Sequence, residues 1–228
     1  MLDAAPDGCQ IGSDATVIGA DPRMEQLIEG YRRFRASRWE SERQRFEELS
    51  RYGQRPRALV IACSDSRVDP QMIFDAHPGE LFAIRNVANL VPPYAPDAAY
   101  HGTSAALEFG VRALKVADLI VMGHALCGGV QALLEGTPDG FGDFVEPWMA
   151  IAEPARRRAM AVPAAARQEV CEQEAIRLSL ANLLTFPWIR EAVDAGRLRL
   201  HGCYFDTRSG ALLVLDRNGA FVPVPESA

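Results

Sequence analysis

Nowhere in the 228 residues does an apolar run approach the roughly eighteen residues that a membrane helix needs. Excess positive charge is missing too. Lys and Arg number 24 against 30 Asp and Glu, for a net charge of −6, so no electrostatic footprint for nucleic acid or an anionic membrane is present. The first twenty residues carry Asp3, Asp7 and Asp14 but no Lys or Arg, and no apolar h-region follows, so no secretory signal is expected. Cysteines are few and odd in number, at 5, which suits a reducing cytosol better than a disulfide framework. A compartment entered without a cleaved signal fits equally. Internal repeats, heptad seams and low-complexity tracts are absent. What remains is ordinary globular composition, 48% hydrophobic and 24% charged, at a length that suits one large domain or a core with a helical arm.

Two stretches carry chemistry. In ALVIACSDSRVDP, residues 58–70, an apolar run from Ala58 to Ala62 reads as a buried strand ending in a polar loop. If the extended backbone persists, Cys63, Asp65 and Arg67 point one way and Ser64 and Ser66 the other. A thiol, a carboxylate and a guanidinium would then gather at the carboxyl end of a strand, where open α/β sheets place their chemistry. In VMGHALCGGV, residues 121–130, the strand through Leu119–Met122 leads into His124 and Cys127. Gly123, Gly128 and Gly129 allow the tight turns and close approach that this needs. Cys63, His124 and Cys127 together make a Cys₂His set, which leaves a fourth zinc position for water or substrate. Two buried thiols with a backbone-bonded histidine, or a purely structural zinc, remain the alternatives at this point.

Along the chain, residues 1–20 read as a loose lead-in in which Cys9 is an ordinary thiol. Residues 21–50 read as a helical arm: Asp21-Pro22 caps a first helix, and a second piece covers about 38–49. Residues 51–228 form the remainder of a single domain. Strands at 58–62, 81–84 and 119–122 alternate with helices opened at Gly102-Thr103-Ser104 and Gly128. The fold class is therefore α/β, a mostly parallel central sheet flanked by helices. Residues 136–146 form a loop, and 147–182 are mostly helical with breaks at Pro154 and Pro163. Cys171 on that stretch reads as packing. A short helix from Pro187 precedes two strands around residues 206–210, a hairpin.

C-x-D-x-R followed by H-x-x-C-G-G, with PGELF-x-x-RN-x-AN between them, resembles the β-class carbonic anhydrases. The likeness extends through residues 78–94, 104–114 and 198–216, and covers roughly residues 20–216. It implies one zinc per subunit on Cys63, His124 and Cys127, and reversible hydration of CO₂ to bicarbonate and a proton. It implies that Asp65 and Arg67 form a dyad in which the carboxylate orients the nucleophile. Asp65 could instead be a fourth metal ligand that closes the site, and which state dominates stays open. A plain loop salt bridge is the bland alternative.

By the same resemblance Gln54 and Phe82 line the substrate pocket, and Gln54 points to the plant-like, always-open kind. Phe109 stands where plant-type members carry Tyr, which removes a hydroxyl donor. The backbone near Gly128 helps to place the substrate. The family further implies a homodimer or higher homo-oligomer, with active sites near the interface and N-terminal helices reaching across to the partner. His77 and His101 are loop histidines available as proton relays. His201 reads as structural, and Arg85, Asn86 and Asn89 read as loop-holding residues. Two rival functions share these residues. One is a hydrolase of carbon disulfide or carbonyl sulfide on the same scaffold. The other is a non-catalytic zinc or thiol scaffold pairing Cys63 with Cys127, in which Asp65 and Arg67 would have no use.

Overall fold

Leu59, Val60 and Ile61 are completely buried, because both faces of their strand are covered. Leu59 and Ile61 pack on one side with Leu107, Ile176, Phe186 and Ile189. Ala58, Val60 and Ala62 pack on the other with Met122 and Cys203. This alternation is the period of two that extended backbone imposes. Each large side chain so buried contributes about 1.5–3 kcal/mol.

The computed structural model describes residues 21–97, 99–136 and 142–225. The expected lead-in with Cys9, and part of the expected 136–146 loop, lie outside the described residues. The chain divides into two units, one ending at Gly53 and the other starting at Gln54.

In the first unit, α1 (Pro22–Ala36) is followed by α2 (Arg38–Tyr52). The Asp21 carboxylate accepts the amide of Arg23 at 2.8 Å, and Pro22 fills the first helical position, where its missing N–H costs nothing. No residue of either helix is buried. Phe46 bridges them, stacking on Trp39 at 5.1 Å and meeting Phe34 edge-on at 6.4 Å.

In the second unit, four parallel strands are β1 (Ala58–Cys63), β2 (Leu81–Asn86), β3 (Asp118–His124) and β4 (Arg199–Phe205). Antiparallel β5 (Leu212–Leu215) and β6 (Phe221–Pro223) complete a sheet ordered β2-β1-β3-β4-β5-β6. The helices are α3 (Pro70–Ile73), α4 (Gly102–Glu108), α5 (Gly128–Glu135), α6 (Val145–Met149), α7 (Glu153–Ala159), α8 (Arg167–Leu183) and α9 (Pro187–Asp194). A π-helical turn, Phe109–Ala113, extends α4. No helix among the described residues is long and apolar enough to cross a membrane.

The fold is the expected α/β class with its C-terminal hairpin, and the break expected at Pro154 is present: α6 gives way to a 3₁₀ turn, Ala150–Ala152, and α7 starts anew with Pro154 in its first turn, where no intrahelical N–H is required of it. Two details differ. Strand β2 runs on through Arg85 and Asn86 because both pair with β1. And β1 stops at Cys63, so strand alternation is not what brings Asp65 and Arg67 together. The Asp65 carboxylate instead accepts the amide of Arg67 at 2.9 Å, which closes a local turn.

Candidate metal centre

Parallel register places the carboxyl ends of β1 and β3 side by side, with Ala62 opposite Met122. Cys63 ends β1 and His124 ends β3, while Cys127 caps the start of α5. Among the described residues these three form a group whose ligand atoms all lie within 4.8 Å of one another. The two sulfurs are 4.0 Å apart. All three residues are buried, with exposures of 6%, 1% and 1%.

The histidine is set by its neighbour. Nδ1 lies 2.9 Å from the carbonyl of Ala125, which can only accept, so Nδ1 carries the proton and Nε2 keeps its lone pair. That Nε2 is buried without a hydrogen-bond partner. An orphaned buried lone pair beside two thiols fits a divalent metal ion. The N,S,S donor set is the soft, imidazole-containing kind that suits zinc.

The thiols differ in acidity. The hydrogen bond from Cys127 holds the Cys63 thiol below its ordinary range, against the upward push of burial, with further help from the amides of Asp65 and Ala88. Cys127 is pushed up by that same bond and by burial.

Two left-handed turns flank the site. Ala88 and Asn89 have φ of 61° and 48°, and Leu126 has φ of 58°, all in the left-handed region that costs an L-residue about 1 kcal/mol or more. The turn at Ala88 fits closely against the start of α5, because a Cβ on Gly129 would lie 2.8 Å from Val87 Cγ1 and 3.2 Å from Ala88 Cβ. Around the loop after β1, Arg85 donates to the carbonyls of Cys63 at 2.6 Å and Asp65 at 2.8 Å. Asn86 donates to the carbonyl of Leu90 at 2.9 Å.

Arg67 grips Asp65 in a fork, Nε on Oδ1 at 2.9 Å and Nη2 on Oδ2 at 2.7 Å. The Arg67 guanidinium holds the carboxyl well below the usual carboxylate range, so it is ionised.

The carbonic anhydrase family model matches residues 58–212. The carbonic anhydrase of Pseudomonas aeruginosa is 39% identical over 196 residues, 85% of this chain and 88% of that protein. The chain belongs to the β-class carbonic anhydrases. A chloroplastic β carbonic anhydrase of Arabidopsis thaliana is 42% identical over 158 residues, 67% of this chain but only 52% of that relative. The solved β-carbonic anhydrase CcaA superposes with a TM-score of 0.83 at 38% identity, over 91% of this chain and 94% of that one. A β-carbonic anhydrase of the ascomycete Sordaria macrospora, described as tetrameric, gives 0.75 at 27% identity, over 89% of this chain and all 100% of that one.

The other residues expected in this β-class site are spread more widely. Gly128 directly follows Cys127, and a side chain there would meet open space. Phe82 sits opposite Leu59, four positions before the Asn86–Cys63 pair, and its ring packs on Phe109 at 5.9 Å. Gln54 shares a cavity with Asp118 and Arg199, at the amino ends of β3 and β4. Strands rise about 3.3 Å per residue, so within one chain Gln54, Phe82 and Phe109 do not join Cys63, His124 and Cys127. His101 sits 2.6 Å from Asp97, and His201 2.7 Å from Asp118.

Glu172, Gln168 and Tyr204 were not foreseen beside Cys127, yet Glu172 accepts its amide at 2.9 Å. A signal existed. Glu172 falls in the stripe of Cys171, Ala175, Ile176 and Ser179 that α8 buries, where an acid needs a reason.

Proposed function

We propose that this chain holds one zinc ion per subunit on Cys63, His124 and Cys127 and hydrates CO₂ reversibly there, giving bicarbonate and a proton. The observation that carries the reading is the buried, unpartnered Nε2 of His124 beside two thiols. Two thiolates and a neutral imidazole offset the 2+ charge and leave a fourth position. When bound, zinc supplies the Lewis acidity that brings the pKa of a water to about 7, a value known from carbonic anhydrases themselves.

The protein's part is orientation. Ionised Asp65 is acceptor-only, and Oδ2 takes one bond from Arg67, so an acceptor site remains on that oxygen. A hydroxyl donating to it has its own lone pair turned elsewhere, toward the CO₂ carbon. Arg67 keeps the carboxylate available for this by holding it in a fixed plane, and a resting state with Asp65 as fourth ligand would require breaking that fork. The amide of Gly128 helps to place the substrate.

Gln54, Phe82 and Phe109 serve the pocket across an interface, each acting on the metal centre of a second copy, so the working unit is a homodimer or a higher homo-oligomer. Residues 21–50 are the arm that reaches to that partner, and 51–228 the catalytic domain. The four described cysteines are free and buried, which supports a reducing compartment such as the cytoplasm.

Stopped-flow CO₂ hydration across about pH 6.5–9 tests the reading. Turnover that rises with pH, disappears on chelation and returns with zinc is expected. Zinc bound stoichiometrically without turnover would overturn it and turn attention to carbonyl sulfide and carbon disulfide.

A further inference from the structure

Glu172 is 3% exposed, on a helix face whose other members are apolar or small. Burying an acid is costly unless its oxygens are engaged, and both are. Oε1 accepts the amide N–H of Cys127 at 2.9 Å and the side-chain amide of Gln168 at 2.6 Å, while Oε2 accepts the hydroxyl of Tyr204 at 2.8 Å. Gln168, one turn earlier on α8, also donates to the carbonyl of Cys127 at 3.1 Å. Both backbone polar groups of Cys127 are therefore held by α8, and β4 braces the carboxylate through Tyr204.

Cys127 needs such holding. The parallel ladder ends just before it, with the amide of Ala125 bonded to the carbonyl of Phe205 at 2.9 Å. Leu126 follows in the left-handed region, and the first helical bond of α5 reaches only the Cys127 carbonyl, from the Gln131 amide at 2.9 Å, which leaves the Cys127 N–H outside the helix. Its thiol direction thus depends on a single peptide between a strained residue and a helix start.

We propose that Glu172 is a positioning residue for the metal centre, which aims the Cys127 thiol at Cys63 and His124 by accepting the Cys127 amide. This rests on the reading that those three residues hold zinc. Groups that orient a metal ligand in this way change metal affinity by roughly 10–100-fold when removed.

The test uses metal-free full-length protein. Zinc affinity is measured by competition with a chromophoric chelator, and the absorption spectrum of the cobalt(II)-substituted protein reports ligand geometry. Glu172→Met keeps the length but has no comparable acceptor; it should bind zinc about 10–100-fold more weakly, with shifted cobalt bands. Glu172→Gln keeps an acceptor oxygen and should stay close to wild type. Glu172→Asp retains the charge but withdraws the acceptor by one methylene, so it should also weaken zinc and shift the bands, and it decides the matter if the Met variant does not fold. Met or Asp variants with wild-type affinity and spectrum would overturn the proposal. So would a Gln variant as weak as the Met one. Wild-type protein that binds no zinc would overturn the metal reading itself, a result distinct from these.

Discussion

The same Arg67 nitrogen that takes Oδ2 of Asp65 at 2.7 Å also reaches the carbonyl of Leu126 at 3.0 Å. One guanidinium thereby ties the loop after β1 to the turn that presents Cys127. The two halves of the metal centre, more than fifty residues apart in the chain, share this cross-link.

Arg67→Lys keeps the charge but cannot form the fork. Asp65 would then swing, and a misplacement of about 1 Å costs on the order of 10²-fold in rate. The expected result is kcat/KM for CO₂ hydration lower by about that factor, with zinc content unchanged. Loss of zinc in step with activity would mean instead that Arg67 supports the ligand set.

Gly129→Ala should be destabilising although it lies in a helix. The new Cβ would press on Val87 and Ala88 at 2.8 and 3.2 Å, and Ala88 has no flexible end to move aside. Overpacking of this kind costs about 1–3 kcal/mol, readable as a lower midpoint in urea unfolding with unchanged slope. Gly128→Ala, which meets open space, should leave the midpoint nearly unchanged.

A pH effect is expected far from the metal. Asp118 accepts Arg199 at 2.8 and 2.7 Å and lies 2.7 Å from His201. Its carboxyl is held below the ordinary value of 3.8, first by the Arg199 bond and then by His201, against burial. A depressed folded-state pKa contributes stability that is present above the unfolded value and is lost as pH falls through the folded one. Asp118→Asn should therefore melt below wild type at neutral pH, with the gap closing as pH drops under about 4. A gap that stays constant into acid would show that charge at Asp118 contributes nothing.

Much of this was legible in the sequence because its causes are local. Leu59–Ala62 and Leu119–Met122 are short apolar runs bounded by polar residues, and both are buried parallel strands. His124 and Cys127 carry their spacing with them. The Asp65–Arg67 pair is legible as a motif, but strand alternation is not its origin, since β1 ends at Cys63, opposite the last residue of β2, and a turn takes over. Glu172 escaped notice because its role depends on packing α8 against a loop 45 residues away in sequence. The placement of Gln54 is likewise tertiary: an unlabelled polar residue before a strand says nothing of which cavity it lines.

Everything above turns on Cys63, His124 and Cys127 as the zinc ligands. X-ray absorption at the zinc edge of the purified protein tests that assignment most directly. Two sulfurs at about 2.3 Å and one imidazole nitrogen at about 2.0 Å are expected around the metal, with a further light atom completing four. Replacing Cys127 by Ser should remove one sulfur from that set. A set of nitrogen and oxygen alone, or one that the Cys127→Ser change leaves untouched, would contradict it.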